Sequence, residues 1–392
     1  MTREEFTNKI LSSKSNNFII EAATSMGKTK AALDKASQWF TSTSKILIVV
    51  PRNVLKDNWR MEINKWGYNN MLSNITFVTY VSLPKVANTW DIIIFDEAHH
   101  LTEKCQEALT TGFKAKHILA LSATLKKDVK WFLKVYCKYH IEEIVVTLAN
   151  AIESDTLPEP TIYIIPLTLD NIKYNTTFTK KAKKGIKDST TINYTDKWKY
   201  RGYAGTLNMI CTQKQYYNEI SGLIEWYKAK SSRPIMKNIW LHKCGERLKW
   251  LAEQKTEVIK QILKHFKNVR MLTFCADIEQ SNNLGTYCVN SKIGTENLDK
   301  FNEKKIKHIA AVGMLDEGIT LTDCRVGLFQ MLNSSDKLVC QRIGRILRHK
   351  KPILILPYYK DTREAEILDD ILASYNKESI HVVHNIDELV LK

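Results

Sequence analysis

Two short runs of this chain hold residues suited to phosphate chemistry. Residues 21–29 read Glu-Ala-Ala-Thr-Ser-Met-Gly-Lys-Thr. Gly27 lets backbone N–H groups close on phosphate oxygens, Lys28 supplies a point charge for the β- and γ-phosphates, and Thr29 offers a hydroxyl to Mg²⁺. Thr24, Ser25 and Met26 complete the turn that lines the same phosphates. A strand-like run precedes the loop and a helical run, Lys30–Trp39, follows it. The helix N-terminus therefore adds partial positive charge at the same point. Ala22 replaces the usual first glycine of such a loop, and Ser25 stands where many carry another.

The second run is Ile92-Ile93-Ile94-Phe95 leading into Asp96-Glu97-Ala98-His99-His100. An apolar strand that ends in two acids is costly unless the acids work at its tip. Asp96 is suited to hold the Mg²⁺ water shell, and Glu97, one residue on, to orient and deprotonate an attacking water. Adjacent histidines on a loop rarely ligate one metal. His99 is expected to hydrogen-bond across a domain cleft, and His100 to pack.

Both runs need elements that hold them. Apolar runs of strand length occur at Phe18–Ile20, Ile46–Val50, Ile75–Tyr80, Ile92–Phe95 and His117–Leu121, with helical stretches such as Val54–Lys65 between them. That alternation predicts a parallel α/β sheet with its working loops at the carboxyl ends of the strands. A second set lies at Met271–Phe274, His308–Val312, Val326–Phe329 and Ile353–Leu356, and Thr161–Pro166 is expected to open that domain. The division is residues 1–152 and 153–392, joined by the polar stretch Glu153–Pro160. An insertion spans about 171–266, including helical patterns at Gln213–Lys230 and Met236–Phe266.

The chain has 392 residues, long enough for two domains and an insertion. No apolar run approaches the ~20 residues of a membrane span, and the polar N-terminus is no secretory signal. Eight cysteines occur with no close pairs of the kind zinc sites use, which fits reduced thiols in a cytoplasmic protein. The net charge of +16 points to a polyanionic partner. From Asn171 to Leu207 nine Lys or Arg face two Asp or Glu, an excess of seven, and Tyr174, Phe178, Tyr194, Trp198, Tyr200 and Tyr203 interleave with them. Cations for phosphates and rings for bases make a single-strand grip, with Lys181, Lys184, Trp198 and Arg201 as the candidate contacts. The bland alternative is a solvated insertion that aids solubility.

The order of these runs resembles the helicase superfamily 2, in its DEAH-bearing branch. Phe95–Leu101 followed by Leu119–Leu125 is most similar to the motor domains of type I and III restriction enzymes and related phage and repair helicases. The resemblance implies two RecA-like parallel-sheet domains in tandem sharing one ATP site. Val49–Arg52 and Phe77–Tyr80 resemble motifs Ia and Ib, which makes Arg52, Thr79 and Tyr80 backbone contacts to nucleic acid. Ser122-Ala123-Thr124 matches motif III, which couples hydrolysis to domain movement through Ser122 and Thr124. Leu272–Ala276 looks like motif IV. Leu315–Leu321 looks like motif V and puts Gly318 beside the nucleotide. Gln341–Arg348 matches motif VI, whose Gln341 senses nucleotide and whose Arg345 and Arg348, three apart on one helix face, reach the γ-phosphate.

The sequence departs from the family in two places. No upstream glutamine of the adenine-reading type is found, leaving Arg3 and Phe6 as base contacts. Thr320 stands where many members carry aspartate near the ribose. The expected activity is ATP- and Mg²⁺-dependent movement along or unwinding of nucleic acid by a monomer, with DNA the favoured partner, RNA the alternative and no membrane role. Two other readings remain open. One is the motor subunit of a restriction or defence complex, although no nuclease motif is found. The other is a nucleic-acid-stimulated ATPase that remodels a partner without unwinding. The compact chain suggests a phage or mobile-element enzyme working in the host cytoplasm.

Overall fold

The computed structural model describes all residues except 87, 175–179, 182–188, 201–205, 291, 292, 295, 313–320, 333–341, 345 and 392. Gly318, Gln341, Arg345, Lys184 and Arg201 lie outside the described residues, as does the side chain of Lys181. The first helix, α1 (Arg3–Ser12), starts at a capping box between Thr2 and Glu5. Next come β1 (Asn17–Ala22), α2 (Lys28–Trp39), β2 (Ile46–Val50), α3 (Val54–Lys65), β3 (Ile75–Thr79) and β4 (Thr89–Phe95). The first domain continues through α4 (Glu103–Gly112), β5 (Lys114–Ser122), α5 (Lys127–Tyr136), β6 (Glu142–Val146) and α6 (Leu148–Glu153). Its strands form a six-stranded sheet in the order β3-β2-β4-β5-β1-β6, every pairing parallel. Parallel strands are covered on both faces and so read as unbroken apolar runs. β2, Ile-Leu-Ile-Val-Val, is buried at all five positions.

After β7 (Thr161–Leu167) the chain leaves for the insertion. Four short strands, β8 (Lys173–Tyr174), β9 (Lys180–Lys181), β10 (Ser189–Asn193) and β11 (Thr206–Thr212), form a small sheet. Two helices follow, α7 (Gln213–Lys228) and α8 (Pro234–Gln254). The chain then returns through α9 (Thr256–His265), β12 (Met271–Phe274), α10 (Ile278–Asn283), β13 (Tyr287–Val289), α11 (Glu296–Asn302) and β14 (His308–Ala311). It ends in β15 (Val326–Phe329), β16 (Ile353–Tyr359), α12 (Arg363–Leu372) and β17 (Ile380–Val382). The second sheet runs β13-β14-β12-β15-β16-β7-β17, again all parallel. The architecture is two RecA-like parallel-sheet domains in tandem.

The insertion differs from the sequence reading in two ways. Residues 171–207, poor in apolar periodicity, contribute strands, because a sheet of two- to seven-residue strands needs few buried positions. Its core is Ile192, Leu207 and Met209, flanked by Tyr194 and Tyr200. The pattern Met236–Phe266 is two helices rather than one, with the break at Lys255. Lys255 is fully buried, and its ammonium meets Glu364 Oε1 at 2.6 Å and the Pro357 carbonyl at 3.1 Å. This pair ties the end of the insertion to β16 and α12.

One continuous cluster of buried apolar side chains runs from Phe6, Ile20 and Ile48 around the first sheet to Leu272, Phe274 and Leu354 around the second. The two domains therefore pack together. No helix among the described residues is long and apolar enough to cross a membrane.

Candidate active site at the strand tips

β4, β5 and β1 lie side by side and parallel, so their carboxyl ends share one edge of the first sheet. The register sets Phe95 beside Ala120 and Glu21 beside Ser122. The two acids after β4, the Ser-Ala-Thr run after β5 and the phosphate loop after β1 thus emerge next to one another. The loop turns through left-handed backbone at Ser25 (φ 73°) and Gly27 (φ 90°). Glycine adopts that region at no steric cost, whereas Ser25 holds it against its own Cβ. Lys28 opens α2, and its Nζ donates to the Ala22 carbonyl at 2.6 Å, spanning the loop. Thr29 follows on the same helical turn, half-buried. The Met26 side chain is buried in the domain core, so only its backbone belongs to the loop.

Asp96 is held from two sides. The Trp59 indole Nε1 donates to its Oδ2 at 2.8 Å, and the Tyr80 hydroxyl donates to its backbone carbonyl at 2.7 Å. Glu97 sits in left-handed backbone (φ 49°, ψ 56°), rare for a residue with a long side chain and a mark of a position fixed by its surroundings. Its Oε2 lies 3.3 Å from His99 Nδ1, which also lies 2.9 Å from Ser122 Oγ. Ser122 donates its single hydroxyl proton to the Thr124 carbonyl at 2.7 Å. Toward His99 the serine can then only accept, so Nδ1 carries the imidazole proton. The sequence reading sends His99 across the cleft, yet this ring nitrogen bonds inside the first domain, joining the acid loop to Ser122 and Thr124. His100 packs by its ring, 5.7 Å from that of Tyr80.

The second domain reaches this edge through the segment around Gly344 and Arg348. Ser25 Oγ donates to the Gly344 carbonyl at 3.2 Å and accepts from Arg348 Nε at 3.1 Å, a contact across 323 residues. Gly344 is so close that a Cβ built on it would stand 2.5 Å from Thr24 Cβ.

The candidate nucleic-acid contacts divide. Arg52 is exposed just before α3, and Thr79 bonds Ser82 Oγ at 3.2 Å. Tyr80 is a correction: it is 5% exposed and its hydroxyl is committed to Asp96, so it braces the acid loop instead of meeting a strand. Trp198 is 65% exposed, with Lys199 Nζ 5.5 Å from its ring centre. Of the two proposed base contacts, Phe6 is wholly buried in the core and offers no face to a base. Arg3 bonds the Ser25 carbonyl through Nε at 3.1 Å.

Two supports escaped the sequence reading. Trp59 is one; a buried indole N–H needs an acceptor, which was the available signal on the inward face of α3. Glu21 is the other: it ion-pairs with Lys130 and accepts from the Leu125 N–H, tying β1 to the loop after Ser122. Burial pushes the Cys137 and Cys324 thiols up to about 12, and the Cys275 thiol up as well. All described cysteines are free.

Comparison with known proteins gives this geometry its context. Residues 2–127 match the family model described as type III restriction enzyme, res subunit. The chain is 25% identical over 363 residues to the DNA 3'-5' translocase XPB2 of Sulfurisphaera tokodaii, covering 86% of this chain and 76% of that relative. In fold it is similar to S. cerevisiae Dbp5 bound to RNA and ADP BeF3, with TM-score 0.57, 13% identity and coverage of 97% and 89%. It is likewise similar to the Pyrococcus furiosus Hef helicase domain, with TM-score 0.50, 14% identity and coverage of 94% and 97%.

Proposed function

We propose that this chain is a superfamily 2 helicase, an ATP-dependent nucleic-acid translocase that acts on DNA as a monomer through one ATP site shared between its two domains. The observation that carries the shared site is the bond from Arg348 to Ser25, which brings a second-domain arginine onto the first-domain phosphate loop. Lys28 and the backbone of Thr24–Gly27 bind the phosphates. Asp96 and Thr29 would hold Mg²⁺; a carboxylate fixed by an indole N–H and a helix-end hydroxyl are hard oxygens, which suits an ion that takes one or two protein ligands. When bound it would supply neutralising charge for the phosphates. Glu97 orients the attacking water and takes its proton, and His99, whose Nδ1–H bonds Ser122, lies 3.3 Å from the Glu97 carboxylate and flanks it. Arg348, with Arg345 and Gln341 beside it in sequence, stabilises charge on the transferring phosphoryl group.

Closure around ATP and opening after hydrolysis move the second sheet against the first. His99, Ser122 and Thr124 carry that change from the acid loop to the tip of β5. Arg52 and the exposed ring of Trp198 grip the strand. DNA is favoured over RNA by the similarity to a DNA translocase. The experiment is the ATPase rate with single-stranded DNA, duplex DNA, forked DNA and RNA in turn. DNA should stimulate at least about tenfold more than RNA, a 1.4 kcal/mol preference; equal stimulation overturns the DNA assignment. The match of residues 2–127 to a restriction-enzyme subunit favours one second reading, a motor that serves a nuclease on another chain. Co-purification of nuclease activity with the tagged chain would support it.

A further inference from the structure

Ser25 occupies a loop position often given to glycine, in left-handed backbone that disfavours a side chain. It nevertheless meets three residues from two segments. Its carbonyl accepts from Arg3 Nε of α1 at 3.1 Å, and its hydroxyl donates to the Gly344 carbonyl at 3.2 Å and accepts from Arg348 Nε at 3.1 Å. One hydroxyl proton and a lone pair satisfy both hydroxyl bonds at once. The absence of room for a Cβ at Gly344 shows how closely the two segments approach there.

We propose that Ser25 is a positioning residue for the arginine of the second domain: its hydroxyl sets the aim of Arg348 when the domains are together. With Nε directed at Ser25, the two Nη groups are the remaining donors of a rigid planar fork. Fixing one edge of that fork fixes where the others point. The Arg3 bond holds the Ser25 backbone from behind, so the hydroxyl is presented by a braced loop. The inference rests on the reading of Arg348 as a group that meets the transferring phosphoryl.

The test uses the full chain with saturating single-stranded DNA. Ser25→Ala removes the hydroxyl; Ser25→Gly also relieves the backbone. Both should lower kcat roughly tenfold, the size of a hydrogen bond to a charged group, while ATP affinity stays within about twofold. In an Arg348→Ala background, read by single turnover with enzyme in excess, Ser25→Ala should cause no further loss, because the two residues act as one unit. An equal loss in both backgrounds, a loss confined to ATP binding, or a Ser25→Gly enzyme as fast as the wild type would each overturn the proposal. Lys28→Ala separates this from the underlying reading. If Lys28→Ala still hydrolyses ATP, the site itself is misassigned. If Lys28→Ala is dead while Ser25→Ala turns over at the wild-type rate, only the role of Ser25 falls.

Discussion

Along the edge of the first sheet, Asp96, Ser122 and the phosphate loop hang from strands whose carboxyl halves are buried on both faces. In the insertion, the described side chains of four short strands form one small apolar cluster, Ile192, Leu207 and Met209. The first region fixes side chains by burial and by bonds between them: Trp59 to Asp96, His99 to Ser122, Arg348 to Ser25. The second offers charge and the exposed ring of Trp198. A geometry held by a dense core is suited to aligning atoms for a reaction; a thin core with rings outside is suited to a surface that follows a polymer. Substitutions should therefore change rate at the sheet edge and salt-dependent binding in the insertion.

The largest expected effect is at the edge. Glu97→Gln should lower kcat for ATP by about 10²–10⁴-fold, the range of a lost general base, with ATP binding retained. A binding isotherm and steady-state turnover measure the two separately, and turnover at the wild-type rate would remove Glu97 from its role. Next is the joint between the insertion and the second sheet. Lys255→Met leaves Glu364 buried without its cation and should cost about 3–5 kcal/mol in denaturant unfolding. The double variant with Glu364→Leu should recover most of that loss. If Lys255→Met alone is neutral, the insertion is not anchored through this pair.

In the insertion itself, neutralising Lys180, Lys181, Lys183, Lys184 and Lys187 together should flatten the log–log salt dependence of single-strand binding by up to ~3.5, at ~0.7 per contact. An unchanged salt slope and unwinding rate would leave those lysines as solubilising charge. The smallest effect expected is from Trp198→Ala, about 1–3 kcal/mol in single-strand affinity, the value of one base on one ring. Fluorescence titration against homopolymers of each base checks it, and stacking requires a loss that is similar across bases.

What the sequence disclosed follows the same division. Runs such as Ile46–Val50 and Ile92–Phe95 announce buried parallel strands because burial on both faces leaves no polar position. β6 escaped notice because it opens on Glu142 and Glu143, and β13 and β17 because three residues make no pattern. Residue types at strand tips mark which groups are suited to the chemistry, but not which atoms brace them. The motif around Tyr80 predicts a strand contact, whereas its hydroxyl bonds Asp96; Phe6, expected to meet a base, lies in the core. Such roles depend on side-chain direction over long separations. The 37 residues between Trp59 and Asp96, and the 323 between Ser25 and Arg348, leave no local trace. The small sheet of the insertion was illegible for the complementary reason: its strands pair through backbone, with few buried side chains to mark them.

The most direct test of a site shared between domains is ATP turnover by Arg348→Ala in the full chain with saturating single-stranded DNA, beside its ATP affinity. Arg348 lies in the second domain, and its side chain bonds Ser25 of the phosphate loop. The shared site predicts turnover lower by about 10³-fold or more, as for arginines that meet transferring phosphoryl groups, with ATP affinity close to the wild type. Wild-type turnover in Arg348→Ala would contradict it.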